Sequence, residues 1–390
     1  MLYLPHLARN QVRALPLCIP LPIQAFETWM MLVEAMNGGA PVSHLFEVRD
    51  IPNAGRGVIA TAPIPAGTVV LESGPPAFHV LFKTYSKETC AFCFLWDRGR
   101  TLPVRDPDVG KVFCSEVCQE RWREEHGAVG LEAWRRLTLF VRAKGKGARE
   151  DEIMGDGARP VLEEIEAAWK EAEKQARILQ AHRADARTTS KAERKLLQGI
   201  VRKMSESVDS DMLSYFLCGI LSHRSRPALW KEEVLALAMD PQPYKTRKDL
   251  EVACTSYLQL STIIPPSSPL AEEDGLIFSP GICRTMLQAD NHNAFGIRGG
   301  GEDSEEYMGY GVYPCASYFN HSCAPNIDKR REGRSWVFSA LREIPPGEEC
   351  CITYLGGDEK GLDVLERRKR LEGAWGFPCA CELCRNESGS

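Results

Sequence analysis

The stretch YFNHSCAPNI, Tyr318 to Ile327, sets an amide, an imidazole, a hydroxyl and a thiol in consecutive positions between aromatic residues and a proline. A turn needs far less, since one short polar side chain satisfies its backbone. The crowding therefore points to partners elsewhere in the chain. Three other stretches offer them: the glycine-rich turn NAGRGV, Asn53 to Val58; GEECCITYLG, which places Tyr354 at the end of a strand; and FPCACELC, Phe377 to Cys384. The last is a C-x-C-x-x-C cluster of Cys379, Cys381 and Cys384. Three thiolates do not close a tetrahedron, and Cys323 is a candidate fourth ligand.

The 390 residues, 44% hydrophobic and 26% charged, suffice for a sizeable core and two or three compact units. A net charge of −5 and the lack of a basic stripe argue against a zinc-dependent DNA binder, and no nucleic acid is expected as a partner. There are 15 cysteines, many in short-range pairs that suit zinc better than disulfides. N-x-S sequons stand at Asn320 and Asn386, yet no secretory signal is evident, so a reducing compartment, nucleus or cytoplasm, is expected. Arg9 and Arg13 precede the first acid, Glu27, which is a weak presequence feature spoiled by prolines. The same prolines break the apolar stretch, and no membrane association is expected.

Residues 1–43 read as an irregular, disorder-prone extension. Strand character begins at His44 with HLFEVRDI, RGVIATAPI and TVVLES, separated by the turns PNAG and PAG, over 44–87. A cysteine module covers 88–127. Within 128–274 the pattern turns helical: Leu162, Ile165, Trp169, Ala172, Ala176 and Leu179 form an apolar stripe in a helix over Val161–Leu179. Further helices are predicted over about Ala192–Leu221, Lys231–Ala238 and Lys248–Leu260, with a glycine-rich joint at Gly145–Gly157. Over 275–357 strands return in LIFSPGI, NAFGIRG, GVYP, SWVFSALREI and ECCITYLG, and 358–390 holds the cysteine trio. Two β-domains of these sizes would each be marginal alone, so one interrupted β-domain is the economical reading. The acidic stretch RGGGEDSEE, Arg298–Glu306, reads as a solvated hairpin tip.

In the module, Cys90 and Cys93 are followed at a distance by Cys114 and Cys118, enough for one tetrahedral zinc site. The stretch FCSEVCQERWREEH resembles a MYND zinc finger. That family holds a second zinc with a middle cysteine pair and a late His and Cys; here no cysteine lies between Cys93 and Cys114 and none follows His126 closely, so one site is expected and His126 is read as a bystander on a helix. Cys218, Cys254, Cys283, Cys315, Cys350 and Cys351 lack metal spacing and read as buried small residues.

Taken together, GRGV, NAFGI, GVYPCASYFNHSCAPN, GEECCITY and WGFPCACELC resemble, in order, the motifs of the SET domain of protein lysine methyltransferases, and with the embedded finger the SET and MYND domain group. The resemblance covers nearly everything from His44 to Arg385. It implies an α+β chain: a β-rich SET fold of small sheets with a threaded C-terminal crossing, interrupted by a zinc module and a helical insert. It implies S-adenosylmethionine as cofactor, met by Gly55, Arg56, Gly57, Asn293, Ser317, Asn320 and His321, with Phe377 on the adenine. Tyr354 would be catalytic, Phe295 and Trp375 would line a lysine channel, and two zinc ions would sit on Cys90, Cys93, Cys114 and Cys118 and on Cys323, Cys379, Cys381 and Cys384. Family relatives carry Tyr where Trp375 stands, a departure that bears on channel width and the number of methyl groups added. The implied partner is a protein presenting a lysine, histone or not. With no helical-repeat C-terminal domain after the trio, its recognition is expected to rest on the insert and the loops. The alternative reading is a catalytically silent scaffold of the same fold that binds protein partners.

Overall fold

The computed structural model describes residues 39–52, 54–144, 158–184, 190–271, 278–300, 306–356, 359 and 361–388, all within one compact unit, Gly38–Ser390. The N-terminal extension up to residue 38, the glycine-rich joint, Asn53 and the acidic tip at 301–305 lie outside the described residues, as do the proposed divisions at 274/275 and 357/358. In chain order the first elements are β1 (Phe46–Ile51), β2 (Gly55–Ala60), β3 (Val69–Glu72), β4 (Phe78–Leu81), β5 (Val104–Asp106) and β6 (Lys111–Phe113). Among the described residues seven α-helices follow: α1 (Glu116–Ala143), α2 (Leu162–Ala184), α3 (Lys191–Glu206), α4 (Ser210–Ser225), α5 (Pro227–Glu232), α6 (Arg247–Ile263) and α7 (Pro280–Asn293). The chain then returns to strands, β7 (Ala294–Arg298), β8 (Tyr307–Val312), β9 (Ile327–Glu332) and β10 (Ser335–Ala340), and ends in α8 (Val364–Trp375) and α9 (Glu382–Glu387).

Sheet pairing shows that the two β-rich halves are one body. β3 pairs antiparallel with β10, which pairs with β9, and β4 pairs with β8, which pairs with β7. Each of these two three-stranded sheets therefore takes one strand from before the insert and two from after it. The shared core holds Phe46, Val58, Tyr313, Phe319, Trp336 and Phe338. Phe319 and Phe338 meet edge to face at 4.9 Å, the geometry that aromatic quadrupoles favour.

The apolar stripe forecast from Val161 is α2: Ile165, Trp169, Ala172, Ala176 and Leu179 are buried, while Leu162 is exposed at the start of the helix. Other forecasts need correction. The run from Ala192 to Leu221 is two helices, because the Asp209 carboxylate caps α4 by accepting from the N–H groups of Asp211 and Met212. The helix forecast at Lys231–Ala238 is instead α5, started by Pro227, followed by a 3-10 turn at Val234–Ala236. Of LIFSPGI, Leu276 and Ile277 lie outside the described residues, and from Phe278 onward there is no strand: Ser279 caps α7 by accepting from Gly281 N–H, and Pro280 occupies its first turn. The helix carrying Trp122 and His126 does not end with the finger. It runs to Ala143 through a kink at Gly127, whose φ of 58° is left-handed and suits glycine.

Candidate active site

The site is built where the segment Glu349–Tyr354 threads between β2 and the NHSC stretch. Cys350 N–H donates to the Val58 carbonyl at 2.8 Å on one side. On the other, Ile352 N–H donates to the Asn320 carbonyl at 3.0 Å and Ser322 N–H to the Ile352 carbonyl at 2.8 Å. Sequence reading makes this segment a strand; the structure makes it an extended crossing held by isolated bridges. Asn326, buried and not singled out in the sequence, clamps it: its amide donates to the Glu349 carbonyl at 2.8 Å and its oxygen accepts from Cys351 N–H at 2.8 Å. The Pro325–Asn326 pair, which closes the NHSC stretch, is the signal that was there to find.

His321 joins the crossing to the cysteines. Its Nδ1 accepts from Tyr354 N–H at 3.0 Å, which leaves Nε2 to carry the proton, 3.2 Å from Cys323 Sγ. Burial pushes this imidazole down to about 4, so it is neutral at pH 7. An N–H aimed at sulfur supports a thiolate at Cys323, as in an outer partner of a metal ligand. Because both ring nitrogens are committed, only the backbone of His321 is open to a cofactor.

Around Cys323 the thiols of Cys379, Cys381 and Cys384 gather, and a second group joins Cys90, Cys93, Cys114 and Cys118, the sulfurs of each group lying within 4.8 Å of one another. Sulfur separations of 3.5 Å for Cys114 and Cys118 and of 3.5 and 3.9 Å from Cys323 to Cys384 and Cys379 are near the roughly 3.8 Å edge of a tetrahedron with zinc–sulfur bonds of about 2.3 Å. Both groups thus fit a four-thiolate zinc site. The His126 ring takes no part: it stacks on Trp122 at 4.0 Å, with Nδ1 2.8 Å from the Trp122 carbonyl oxygen. Cys254, Cys283 and Cys350 are buried as forecast, whereas Cys218, Cys315 and Cys351 are only partly so.

The glycine turn packs against Asn320. A Cβ on Gly57 would fall 2.6 Å from Glu349 Oε1 and 2.7 Å from Asn320 Nδ2, so glycine is needed there by close approach. Asn320 Nδ2 donates to Glu349 Oε1 at 2.8 Å. Arg56 reaches away from that turn, donating to Tyr318 Oη at 3.1 Å and to the Ala236 carbonyl. Asn293 is buried, its amide donating to the carbonyls of Ala238 at 2.8 Å and Ala289 at 2.7 Å. These two side chains therefore pin the segment Ala236–Ala238 of the insert, and sequence reading gave that segment no role. Ser317 Oγ donates to the Tyr313 carbonyl at 2.9 Å.

Phe295, Ser317, Tyr354 and Trp375 line one cleft of about 280 Å³, together with Lys329, Arg298 and Glu359. Tyr354 Oη donates to the Phe319 carbonyl at 3.1 Å, and burial pushes its phenol well above the ordinary range, so it stays a protonated donor. Its ring lies 5.4 Å from Trp375 and 6.3 Å from Phe377. The structure brings together the residues assigned to catalysis and to the channel, with Phe377 beside them.

A SET domain family match covers residues 55–355, and the chain belongs to the SET domain family. The yeast Saccharomyces cerevisiae has a protein described as the potential protein lysine methyltransferase SET6; it is 27% identical over 379 residues, covering 89% of this chain and 96% of the yeast protein. Shorter matches include a SET and MYND domain-containing protein of Dictyostelium discoideum, 32% identical over 27% of this chain and 26% of that one. The histone-lysine N-methyltransferase SMYD3 of Mus musculus is 39% identical over 20% of this chain and 18% of its own length.

Proposed function

We propose that this chain is an S-adenosylmethionine-dependent protein lysine N-methyltransferase whose substrate is a lysine on a protein surface. Membership of the SET domain family supports the class, and relatives described as lysine methyltransferases support the reaction. The observation that carries the reading to particular residues is the shared cleft of Tyr354, Phe295, Ser317 and Trp375, with Tyr354 Oη donating to the carbonyl of Phe319, next in sequence to Asn320. S-adenosylmethionine supplies a methyl group made electrophilic by its sulfonium. Gly55, Gly57, Asn320 and the His321 backbone would hold it, with Phe377 against the adenine. Phe295 and Trp375 present apolar walls to the stem of an incoming lysine, and an apolar wall favours loss of the ammonium proton. Tyr354 Oη, fixed by the Phe319 carbonyl, orients the amine; positioning of this kind is the main lever in an in-line displacement.

The four-thiolate sites suit a reducing compartment, cytosol or nucleus. Among the described residues no helix is long and apolar enough to cross a membrane. We also infer the division into a SET core at 44–87 and 275–357, a zinc module at 88–127, an insert at 128–274 and a post-SET segment at 358–390; Gly127 kinks α1 at the second of these boundaries. The scaffold alternative has no observation in its favour. The test is transfer of labelled methyl from S-adenosylmethionine to histones and to a cell extract of proteins. Transfer to lysine that falls sharply in Tyr354→Phe supports the reading, and its absence from zinc-loaded, folded protein with both substrate sets overturns it.

A further inference from the structure

The cleft proposed to admit a substrate lysine already contains one. Lys329 is the single lysine among the described residues lining it, beside Tyr354, Ser317, Phe295 and Trp375. It also lines the neighbouring cleft of about 290 Å³ bounded by Cys323, Thr353, Leu355 and Arg367, so it stands on the wall between the two. The register of the sheet explains why. Along β9 the residues Ile327, Lys329 and Arg331 face inward relative to the exposed Asp328, Arg330 and Glu332, and Lys329 pairs across the ladder with the fully buried Phe338. Its ammonium lies 5.9 Å from the centre of the Phe295 ring and 5.5 Å from that of Trp336, within the distance at which a cation is held by an aromatic face.

A lysine that shares a wall with the transfer tyrosine, and whose nitrogen rests on a ring assigned to the substrate channel, has the placement of an acceptor. We propose that Lys329 is methylated by the chain's own site, within one molecule. This rests on the methyltransferase reading above. In the step, the Lys329 ammonium first gives a proton to solvent; the neutral Nζ then attacks the methyl carbon of S-adenosylmethionine, an N–C bond forms, the C–S bond breaks, and its electron pair stays on sulfur in S-adenosylhomocysteine. The resulting methylammonium carries one proton more than the methylated amine and can lose it to solvent. Methylation keeps the charge of Lys329 and enlarges its head against Phe295, so the modified side chain fills the channel a protein substrate would use.

The experiment uses the full chain with zinc content assayed, S-adenosylmethionine carrying a deuterated methyl, and no added substrate, followed by digestion and mass spectrometry of the peptide containing Lys329. The expected result is label on Lys329 at a rate independent of protein concentration, lost from that peptide in Lys329→Arg and reduced at least about tenfold in Tyr354→Phe. A second readout does not depend on turnover: acylation of lysines by a small reagent, with and without S-adenosylhomocysteine. Lys329 is expected to label about fivefold more slowly with the product bound, while exposed Lys191 is unchanged. Protein that methylates added proteins and leaves Lys329 unlabelled overturns this proposal alone. Label on Lys329 whose rate rises in proportion to protein concentration overturns the single-molecule route. Protein that methylates nothing and shows no protection overturns this proposal together with the reading it rests on.

Discussion

The two four-cysteine groups are chemically alike and structurally opposite. Cys90, Cys93, Cys114 and Cys118 come from one short stretch, closed by the β5–β6 hairpin and the first turn of α1, where Ser115 caps the helix by accepting from Cys118 N–H at 3.3 Å. Cys323, Cys379, Cys381 and Cys384 join the crossing to the C-terminal helices, and their outer partner His321 also holds Tyr354 N–H. A metal in the first group would order a module; a metal in the second would order the proposed site. The same ligand set thus does different work according to the length of chain it closes and to what its outer partners touch.

That contrast can be broken at either end. The largest effect is expected from Cys381→Ser: zinc content falls by about one ion per chain, and with the C-terminal segment released S-adenosylmethionine affinity drops by about a hundredfold or more. Metal analysis beside calorimetry reads both. Next is Tyr354→Phe, which removes the hydroxyl and little else. Methyl transfer is expected to fall about a hundredfold while cofactor affinity stays within about twofold, a split that single-turnover assays resolve. Third is Gly57→Ala, whose new methyl group meets Glu349 and Asn320. Cofactor affinity is expected to fall about tenfold with zinc content unchanged, and unchanged affinity would detach the glycine turn from the cofactor.

The smallest effect sharpens the comparison from the side of the finger. Arg334, in the turn between β9 and β10, pairs with Glu125 on α1 at 2.5 and 2.9 Å and lies over the Phe92 ring at 4.9 Å, so the first zinc module is tied to the sheet that carries Lys329. Arg334→Ala is expected to lower thermal stability by about 1 kcal/mol and to leave methyl transfer largely intact, since Glu125 keeps part of its solvent exposure. The arginine holds the Glu125 carboxyl down at about 2, below its ordinary value. A carboxyl depressed in the folded state stabilises fully above its unfolded pKa, near 4.5, and that contribution is lost as pH falls towards about 2. Melting curves over that window should therefore converge for the parent and Arg334→Ala at the acid end.

What could be read from the sequence follows the same divide between local and long-range order. The first cysteine group was legible because its spacing is its geometry. The second was legible only as three ligands and a candidate: Cys323 is more than fifty residues away, and it took the resemblance to assign it as the fourth. The stripe of α2 announced itself through Ile165, Trp169 and Ala176, whereas α7 was hidden by the apolar run before Ser279, which looks like a strand until the cap is recognised. β9 was not read at all: IDKRRE carries charge on both faces, so alternation is invisible and the inward turn of Lys329 appears only once Phe338 is paired with it. The commitment of Arg56 and Asn293 to carbonyls of Ala236 and Ala238 depends on tertiary approach of the insert, which no local pattern encodes.

The central claim is that the crossing tied down by the second cysteine group forms a cofactor site. Calorimetric titration of S-adenosylmethionine into the zinc-assayed chain, beside Cys114→Ser and Cys381→Ser, tests it most directly. The account expects binding to the parent chain, retention of that affinity to within a few-fold in Cys114→Ser provided it remains folded, and loss of it in Cys381→Ser. Folded protein with both zinc sites filled that takes up no cofactor would contradict the account.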